Sequence, residues 1–497
     1  MGVRILTLER RDIMKRDVLA LARQAETWLE AHKQEMIEEI QAVARIPSVS
    51  RDDMAEPGAP FGPDCRRVLD HMLQRGQAYG FSTRDLDGYA GVISLGDPES
   101  AIGIVAHLDV VPVGDGWIYP PFGATYLPEH DALIGRGVDD NKSAAIMGLF
   151  LMRMIRDLRL PLRHGVSLYC GTSEETGMQD MHTLVERGEQ FPAVSLVPDA
   201  GFPVNYGQKG NLDGFIAAPA SGNLLAFDAG SAHNIVPDLA ECLLDADIES
   251  VRAAVAALDE ALREALTVMG TEHGVKISAS GRASHAADPD RGINAIHLLA
   301  RALTEGRLLT GTCREAVRGL CELTGDNHGQ SEGAAYEDEI SGKLTLVYSI
   351  AHLTDGVLRV GLDSRYPITC PPDQLMGTLE KAWAERGYTP DVIHNAKPFY
   401  IPKDDPRIAV LQEVYETITG RDDPPYTMGG GTYSKAVPNA ISFGMGMPGL
   451  SDRIRDFLPE GHGGAHGRDE VLLMEKVETC AKIYLAAIAV LDDVIDG

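Results

Sequence analysis

The chain has 497 residues, more than one hydrophobic core usually serves, so we expect at least two domains. Hydrophobic residues make up 44% of it and charged residues 24%, which is the balance of a globular protein. Acidic residues outnumber basic ones by 73 to 45. The resulting formal net charge of −28 argues against nucleic acid and anionic membranes as partners.

Seven cysteines are scattered along the chain, and none forms a Cys-x-x-Cys pair. In a chain of this length, an odd number of isolated cysteines indicates reduced thiols and a cytoplasmic location. No apolar stretch has the length of a signal peptide or of a membrane span. Residues 1–13 are predicted to be an extension, to which we assign no role.

The N-terminal part of the chain alternates between predicted helices and strands. Apolar residues recur about every 3.6 positions from Lys15 to Ala44, which predicts a helix that ends before Pro47. The other predicted elements here are helices over Pro63–Arg75 and Asn141–Leu158, and strands over Ile102–Ala106, Gly165–Cys170 and Ala193–Val197. This alternation predicts an α/β domain with a central mixed, mostly parallel sheet flanked by helices.

The pattern changes near residue 207. Two long amphipathic helices, Glu249–Met269 and Ile293–Glu305, are predicted among alternating strands, and Thr354-Asp355-Gly356 predicts a hairpin turn. The polar, glycine-rich segment Gly325–Glu337 predicts a mobile loop, and we assign no function to it.

The tail from Tyr388 returns to strand–helix alternation and is predicted to end in a helix near residues 470–492. We therefore predict a discontinuous first domain of residues 14–207 and 386–497. The inserted second domain, of residues 208–385, is predicted to be an α+β lid.

Polar residues follow the ends of the predicted strands. The first strand runs into His107-Leu108-Asp109, the second into Glu174-Glu175 and the third into Pro198-Asp199, while Asp139-Asp140 precedes a helix. In open α/β sheets, ligands bind at the carboxyl ends of the strands. A single acid there would be an ordinary helix cap or a solvated residue. Four segments delivering such residues to one edge predict a common site.

Carboxylates crowded together repel one another unless a cation lies among them. Imidazole and carboxylate ligands suit zinc, with manganese or cobalt as alternatives, and no thiolate is in the set. Two divalent ions carry +4, which Asp140, Glu175, Asp199 and a bridging hydroxide would balance. Charge counting therefore predicts a pair of ions that activate one water.

These residues belong to a longer ordered set of motifs that covers nearly the whole chain. The motifs are His107-x-Asp109, Gly135-Arg-Gly-x-x-Asp140-Asn-Lys142, Ser173-Glu-Glu175-Thr-Gly177, Pro198-Asp199-Ala and His466-Gly-Arg-Asp469-Glu470. The set resembles the family of co-catalytic dinuclear zinc peptidases and amidases, which includes aminoacylases, carnosinases and bacterial dipeptidases. The bacterial dipeptidase branch is the one it resembles in particular.

The resemblance implies a role for each residue of the set. His107 and Asp199 would bind one metal ion, Glu175 and His466 the other. Asp140 would bridge both ions, next to a cis peptide bond to Asn141. Asp109 would orient His107 through its far ring nitrogen. Glu174 would be the general base, which takes a proton from the bridging water and passes it to the leaving amine.

Two positions leave questions within this resemblance. His462 competes with His466 for the last ligand position, and the Asp469-Glu470 pair favours His466. Many members of the family have glycine after the position of Lys142, where this chain has Ser143. We expect little effect, since a helix begins there.

The resemblance also implies substrate-reading residues in the inserted domain. His285 would donate a hydrogen bond to the oxyanion of the tetrahedral intermediate. Asn234 and Arg365 match substrate-contacting positions, and an arginine fork suits a C-terminal carboxylate. The glycine loop Gly429-Gly430-Gly431-Thr432 would offer backbone N–H groups to the same carboxylate. The alternatives are that His285 is an ordinary loop histidine and that Arg365 forms a surface ion pair.

These observations predict a metal-dependent dipeptidase acting on short peptides with a free C-terminal carboxylate. The same metal centre would also serve an N-acyl amino acid amidase. A non-catalytic peptide-binding protein of this fold is a third hypothesis, which the retention of Glu174 and of all five ligands disfavours. A lid of this size predicts a monomer, with a homodimer as the alternative.

Overall fold

The computed structural model of the protein describes residues 16–99 and 101–495, without the side chain of residue 451. The predicted N-terminal extension and Lys15 lie outside these residues. The chain forms two compact units. The first unit comprises the residues up to Tyr206, Ile401–Tyr426 and the residues from Thr432 onward. The second unit comprises Gly207–Tyr400 and Thr427–Gly431.

Helices and strands are numbered along the chain. The α-helices are α1 (Val18–Ala44), α2 (Pro63–Ala78), α3 (Lys142–Asp157), α4 (Gln179–Glu186), α5 (Ile248–Ala256), α6 (Glu260–Glu264), α7 (Ala295–Glu305), α8 (Thr312–Leu323), α9 (Pro372–Glu385), α10 (Pro406–Thr419), α11 (Ser451–Ile454) and α12 (Met474–Val494). The strands up to residue 244 are β1 (Ser82–Leu86), β2 (Ala90–Leu95), β3 (Ala101–His107), β4 (Thr125–Leu127), β5 (Ala132–Ile134), β6 (Gly165–Gly171), β7 (Ser195–Val197), β8 (Ala200–Gly201), β9 (Val204–Gln208), β10 (Gly210–Pro219), β11 (Leu224–Ala229), β12 (Ile235–Val236) and β13 (Leu239–Leu244). The remaining strands are β14 (Leu266–Thr271), β15 (Gly274–Ser280), β16 (Ser284–His285), β17 (Glu337–Asp338), β18 (Gly342–Lys343), β19 (Thr345–Thr354), β20 (Val357–Tyr366), β21 (Thr389–Ala396), β22 (Phe399–Tyr400), β23 (Tyr426–Met428), β24 (Ala440–Phe443), β25 (Met445–Gly446) and β26 (Val471–Leu473).

The largest sheet has nine strands, eight of them in the order β1-β2-β6-β3-β7-β24-β9-β22, while β23 also pairs with β9. Strands β6, β3, β7 and β24 pair in parallel, as the strand–helix alternation predicts. The pairs on either side of these four strands are antiparallel. The sheet is therefore mixed, and its parallel pairing is confined to the four central strands rather than prevailing throughout. Their carboxyl ends meet at one edge.

Helices α2 and α3 pack on the same face of this sheet. Ile93 of β2 lies opposite Leu168 of β6, so both side chains point to that face. A Cβ atom added at Gly76 of α2 would lie 2.8 Å from Ile93, and one at Gly148 of α3 would lie 2.9 Å from Leu168. These glycines let the two helices approach the strands closely. Helices α1 and α12 pack in turn against α3.

The opposite face of the sheet is covered by α4 and by the segment that precedes β24. Val92 and Tyr169 point to this face and cluster with Met181 of α4 and with Tyr433. Helical layers on both sides account for strands β2, β3, β6 and β7 being almost wholly buried. The two layers hold the carboxyl ends of the strands in place.

The second unit contains an eight-stranded sheet with the order β14-β15-β13-β11-β19-β20-β10-β21. Its hairpin β19–β20 turns at Asp355 and Gly356, both with positive φ, as predicted. The apolar sides of the strands and of helices α5 to α9 form one hydrophobic core. This α+β arrangement agrees with the predicted class of the inserted domain.

The predicted helix Glu249–Met269 is wrong. The segment forms two short helices, α5 and α6, and then strand β14. The side chain of Asp259 accepts a hydrogen bond from Leu262 N–H, which starts α6 as a separate helix. The last four residues of the segment belong to β14, which pairs with β15 instead, because the turn at residues 272–273 folds the chain back as a hairpin. The helical spacing of the apolar residues cannot reveal this pairing.

The predicted return to the first domain at residue 386 also differs from the structure. Strand β21 pairs with β10 of the second unit over Asn211–Ala217. The second unit therefore continues to Tyr400 and also takes up Thr427–Gly431. Side chains alternate with a period of two in every strand, so the sequence pattern does not show to which sheet a strand belongs.

The segment Gly325–Glu337 is anchored to its own unit rather than extending from it as a loop. The carboxylate of Asp326 accepts hydrogen bonds from the N–H groups of His328, Gln330 and Ser331. Glu332 is buried, and its carboxylate accepts a hydrogen bond from the hydroxyl of Tyr348. These contacts order the segment in spite of its polar composition.

Burial of Glu332 should make the stability of the protein depend on pH. Burial raises the pKa of Glu332 to about 7, although the Tyr348 hydroxyl opposes the shift. In an unfolded chain a glutamate has a pKa of about 4.3. Between these two values the unfolded chain releases a proton that the folded chain keeps, so the free energy of unfolding falls as pH rises.

We therefore expect Glu332→Gln to flatten this pH dependence. From pH 5 to 8 the wild-type protein should lose about 2–3 kcal/mol more stability than the variant. Thermal or urea unfolding at both pH values measures the difference. Glu337→Gln, at an exposed position of β17, is the matched control and should behave as the wild type. Equal pH dependence of all three proteins would contradict the prediction.

The last two features of the fold concern membrane-crossing helices and cysteines. Within the described residues no helix combines the length and the apolar character that crossing a membrane requires. All seven cysteines are free thiols, and six of them are buried.

Candidate metal centre

Five predicted ligands come together at the carboxyl edge of the first unit's sheet. His107 is the last residue of β3, and Glu175 and Asp199 follow β6 and β7. Because β3 pairs in parallel with both of these strands, the three residues leave the sheet at the same edge. Asp140 precedes α3, and His466 lies in the loop before β26. Chain segments far apart in sequence therefore supply one cluster.

The first group of candidate ligands is His107, Asp140 and Asp199, whose potential ligand atoms all lie within 4.8 Å of one another. His107 Nε2 lies 3.0 Å from Asp140 Oδ1 and 3.8 Å from Asp199 Oδ1. His107 is fully buried, and the two carboxylates are partly exposed. The group could hold a metal ion.

The second group is Asp140, Glu175 and His466, also within 4.8 Å. His466 Nε2 lies 3.0 Å from Asp140 Oδ2 and 3.1 Å from Glu175 Oε2. Asp140 thus presents one carboxylate oxygen to each group, which is the arrangement that a bridging ligand needs. The peptide bond between Asp140 and Asn141 is cis, as the family resemblance implies.

His466 rather than His462 lies with these acids. His462 Nδ1 is 2.5 Å from Asp469 Oδ2, and His462 is in neither group. The carboxylate of Asp469 also accepts hydrogen bonds from the N–H groups of Ile118 and Tyr119. Asp469 and His462 therefore fix the fold of the loop from which His466 extends.

Asp109 touches both His107 and the loop that carries the two glutamates. Its carboxylate lies 3.4 Å from His107 Nδ1, but the shorter contact of that nitrogen, 3.0 Å, is with the backbone carbonyl of Asp109. The carboxylate oxygens accept hydrogen bonds from the N–H groups of Glu174 and Glu175, both at 3.0 Å. Asp109 therefore positions Glu174 and Glu175 in addition to contacting His107.

The contact at Nδ1 determines how His107 faces the acids. A backbone carbonyl can only accept, so Nδ1 must carry the proton in the neutral ring. The lone pair of Nε2 then points at the oxygen of Asp140, and two lone pairs face each other. Either a proton or a metal ion has to lie between them. A cation thus fits the donor set, which consists of imidazole nitrogens and carboxylate oxygens.

The pKa shifts of the cluster follow from burial and from the crowding of its acids. Burial raises the pKa of Glu174 well above its usual range, and the charges of Asp199 and Glu175 add to the effect. The pKa of Asp199 is raised to about 6, mainly by burial. Asp140 and Glu175, in turn, raise the pKa of His466 to about 11. The acids thus favour a positive charge on the imidazole beside them.

Glu174 differs from its neighbours in this cluster. Its side chain is 9% exposed, and its carboxylate forms no hydrogen bond or ion pair with any of residues 16–99 and 101–495. A buried carboxylate without a partner, raised in pKa, is well suited to accept a proton from a reacting group. Glu174 is therefore the candidate proton acceptor, and its neighbour Glu175 is a candidate ligand.

Two buried residues of the motifs, to which the sequence assigns no ligand role, hold the segments that carry Asp140 and Asp199. The carboxylate of Glu470 accepts hydrogen bonds from the N–H groups of Gly137, Asp139 and Asp140. Glu470 also forms an ion pair with Arg136 at 2.7 Å, with both side chains fully buried. A second support is Asn141, whose Nδ2 donates to the carbonyl of Pro198 and to Asp199 Oδ1. Their presence inside the motifs was the only sequence signal.

Predicted site residues of the second unit lie on two of its adjoining segments. His285 pairs with Ile235 in the short ladder β12–β16, and Asn234 O accepts a hydrogen bond from Ala286 N–H. Both His285 and Asn234 are exposed. The N–H of Ala287 donates to His285 Nδ1, so the neutral ring carries its proton on Nε2. His285 can therefore act as a hydrogen-bond donor through Nε2.

Arg365 and the glycine loop are joined within the second unit. Arg365 Nη1 donates to the carbonyl of Gly429 at 3.2 Å, and its side chain is only 14% exposed. Gly430 and Gly431 follow in the same loop. Thr432 belongs to the first unit, and its buried hydroxyl is 2.7 Å from that of Ser442. The side chain of Thr432 thus takes part in the core of its own unit.

Comparison with known proteins places the chain in a family. The family model described as peptidase family M20/M25/M40 matches residues 103–490. A Bacillus subtilis protein named "Putative dipeptidase YtjP" is 31% identical over 471 residues, which cover 92% of this chain and 97% of that protein. A Staphylococcus epidermidis protein named "Putative dipeptidase" is 28% identical over 92% of this chain and 97% of its own.

A solved structure shares the fold. The dipeptidase Dug1p of Saccharomyces cerevisiae is 13% identical and superposes with a TM-score of 0.57, over 95% of this chain and 98% of its own. At this identity the likeness concerns the fold alone. The match of the family model over most of the chain, together with the Bacillus subtilis relative, shows that the protein belongs to peptidase family M20/M25/M40.

Proposed function

We propose that the protein is a metal-dependent dipeptidase. The observation that carries the proposal is the pair of ligand groups that share Asp140, beside the buried carboxylate of Glu174, which has no partner among the residues that the structure describes. Membership of a peptidase family and the names of the relatives support a peptide as the substrate. The substrate class we propose is a short peptide with a free C-terminal carboxylate.

We assign one ion to His107, Asp140 and Asp199 and a second to Asp140, Glu175 and His466. The donor set of imidazoles and carboxylates, without a thiolate, favours zinc, with manganese or cobalt as alternatives. Bound there, two divalent ions would polarise a carbonyl and lower the pKa of a water. The free cysteines support a cytoplasmic location. We propose a monomer, since the second unit is large.

The side chains of the protein would carry out the proton transfers. Glu174 accepts the proton of the attacking water and then delivers it to the amine nitrogen as the peptide bond breaks. His285 donates from Nε2 to the oxyanion that forms on the scissile carbonyl. Asp109 holds the backbone of Glu174 so that its carboxylate stays in place. Asn234, Arg365 and the N–H groups of Gly430 and Gly431 bind the substrate.

A substrate panel on the purified protein tests this proposal. It contains alanine-linked dipeptides, the same dipeptides blocked at the amino or the carboxyl end, and N-acetyl amino acids. We expect the free dipeptides to be cleaved with the highest kcat/KM. Equal cleavage of blocked and free dipeptides would refute a dipeptidase. Preferred cleavage of N-acetyl amino acids would identify an amidase on the same metal centre instead.

A further inference from the structure

Strand β20 of the second unit carries a buried ion pair beside the glycine loop. Asp363 and Arg365 are two residues apart on this strand, so their side chains lie on the same face of the sheet. Asp363 Oδ1 accepts from Arg365 Nε at 2.9 Å, and Oδ2 accepts from Nη2 at 2.8 Å. The side chain of Asp363 is 3% exposed and that of Arg365 14%. The pair is thus bidentate and largely removed from water.

Burial makes this pair unlike the surface ion pairs of the chain. Transferring two charges out of water is costly, and the attraction between them offsets that cost only when the geometry is good. A buried pair of this kind is weak evidence of a stabilising role. Its geometric effect is definite, since two fixed bonds hold the plane of the guanidinium. The third bond, from Nη1 to Gly429 O, fixes that plane relative to the glycine loop.

The contacts described so far use three of the N–H groups of Arg365. A guanidinium has five N–H groups in a rigid fork. Asp363 accepts two of them and Gly429 accepts one. One N–H on Nη1 and one on Nη2 are left, and they belong to the two terminal nitrogens of the fork. Two such N–H groups suit the two oxygens of a carboxylate.

We propose that Asp363 is a positioning residue that sets Arg365 for recognition of the substrate's C-terminal carboxylate. The proposal rests on the proposed function and names a determinant of its substrate class. An arginine side chain has many rotamers, and immobilising it on binding costs affinity. Asp363 holds the fork in one orientation before the substrate arrives. It acts through Arg365 and does not itself touch the substrate.

The test replaces Asp363 with Asn and compares a dipeptide with its C-terminal amide. KM is measured for the free dipeptide, and Ki for the amide as a competitor in the same assay. Asn offers one acceptor oxygen in place of two, and its amide group faces a donor of Arg365. We expect KM of the free dipeptide to rise about 10-fold with kcat little changed. The Ki of the amide, which has no carboxylate, should stay within about twofold.

Asp391→Asn is the matched control. Asp391 of β21 forms an ion pair with Arg359 of β20 at 2.6 Å, but both side chains are more than 40% exposed. The control should leave KM and Ki unchanged. A folded Asp363→Asn protein in which the KM of the dipeptide and the Ki of the amide rise together would overturn the proposal.

Two additional variants keep the test decisive if Asp363→Asn folds poorly. Asp363→Glu retains the charge and displaces it by one methylene, so it should raise KM less than Asn while preserving the difference between dipeptide and amide. In a background of Arg365→Lys, which lacks the fork, Asp363→Asn should have no further effect on KM. An additive effect there would overturn the proposal. Absence of dipeptide cleavage by the wild type would instead refute the proposed function.

Discussion

Replacing Glu174 with Gln is expected to lower kcat for dipeptide cleavage by about 10²–10⁴-fold, the usual contribution of a general base. The side chain keeps its size but can no longer accept a proton. Because Glu174 is in neither ligand group, the metal content of the variant should equal that of the wild type. Steady-state kinetics and elemental analysis of the same preparation measure both quantities.

Glu175→Gln is the matched control for this experiment. It makes the same chemical change one residue further along, in a side chain that lies 3.1 Å from His466. This variant should lose part of its metal, whereas Glu174→Gln should not. Unchanged turnover by Glu174→Gln, with a full complement of metal, would refute the proton-transfer role of Glu174.

Replacing Asp140 with Asn is expected to remove metal from both groups. One of its oxygens lies 3.0 Å from His107 and the other 3.0 Å from His466, so both groups lose an anionic ligand at once. Asp199→Asn alters only the first group and should leave one ion per chain. Loss of a residue that only supports a metal ligand costs about 10–100-fold in affinity or activity, so loss of the shared ligand should cost at least that.

Asp139→Asn serves as the control for Asp140. Asp139 is adjacent, but its carboxylate pairs with Lys476 at 2.5 Å and belongs to neither group. The control should keep the metal content of the wild type, measured after dialysis against a weak chelator. An Asp140→Asn protein that retains two ions and full activity would contradict the assignment of Asp140 as a bridging ligand.

The five candidate ligands illustrate what sequence reasoning can reach. His107, Glu175 and Asp199 follow short buried strands, and parallel strands must end at one edge, so their meeting could be predicted. Asp140 and His466 could not be placed in that way, because no strand carries them. Only their motifs and the resemblance to a family connected them to the others. The hydrogen bonds from backbone N–H groups to Asp109 and Glu470 are visible only in the tertiary structure.

The mistaken elements have a common physical cause. The segment Glu249–Met269 has helical spacing, yet its last residues become β14 because β15 is available to pair with them. Strand β21 likewise pairs with β10 rather than joining the first unit. Pairing between strands is a long-range interaction, and a local pattern of apolar residues contains no information about the partner.

The amino-acid sequence alone determined the class of each domain, the order of the main elements and the set of acids and histidines available for a metal centre. The class and the order of the elements follow from periodicity and composition, which are local properties of the chain. The set of candidate ligands follows from strand ends, from motifs and from the resemblance of those motifs to a family. The tertiary structure alone decided which oxygen of Asp140 faces which histidine, that Glu174 has no partner within the described part of the chain and that Asp363 holds Arg365. These depend on distances of a few ångströms between segments far apart in sequence, and such distances are set by packing of the whole fold.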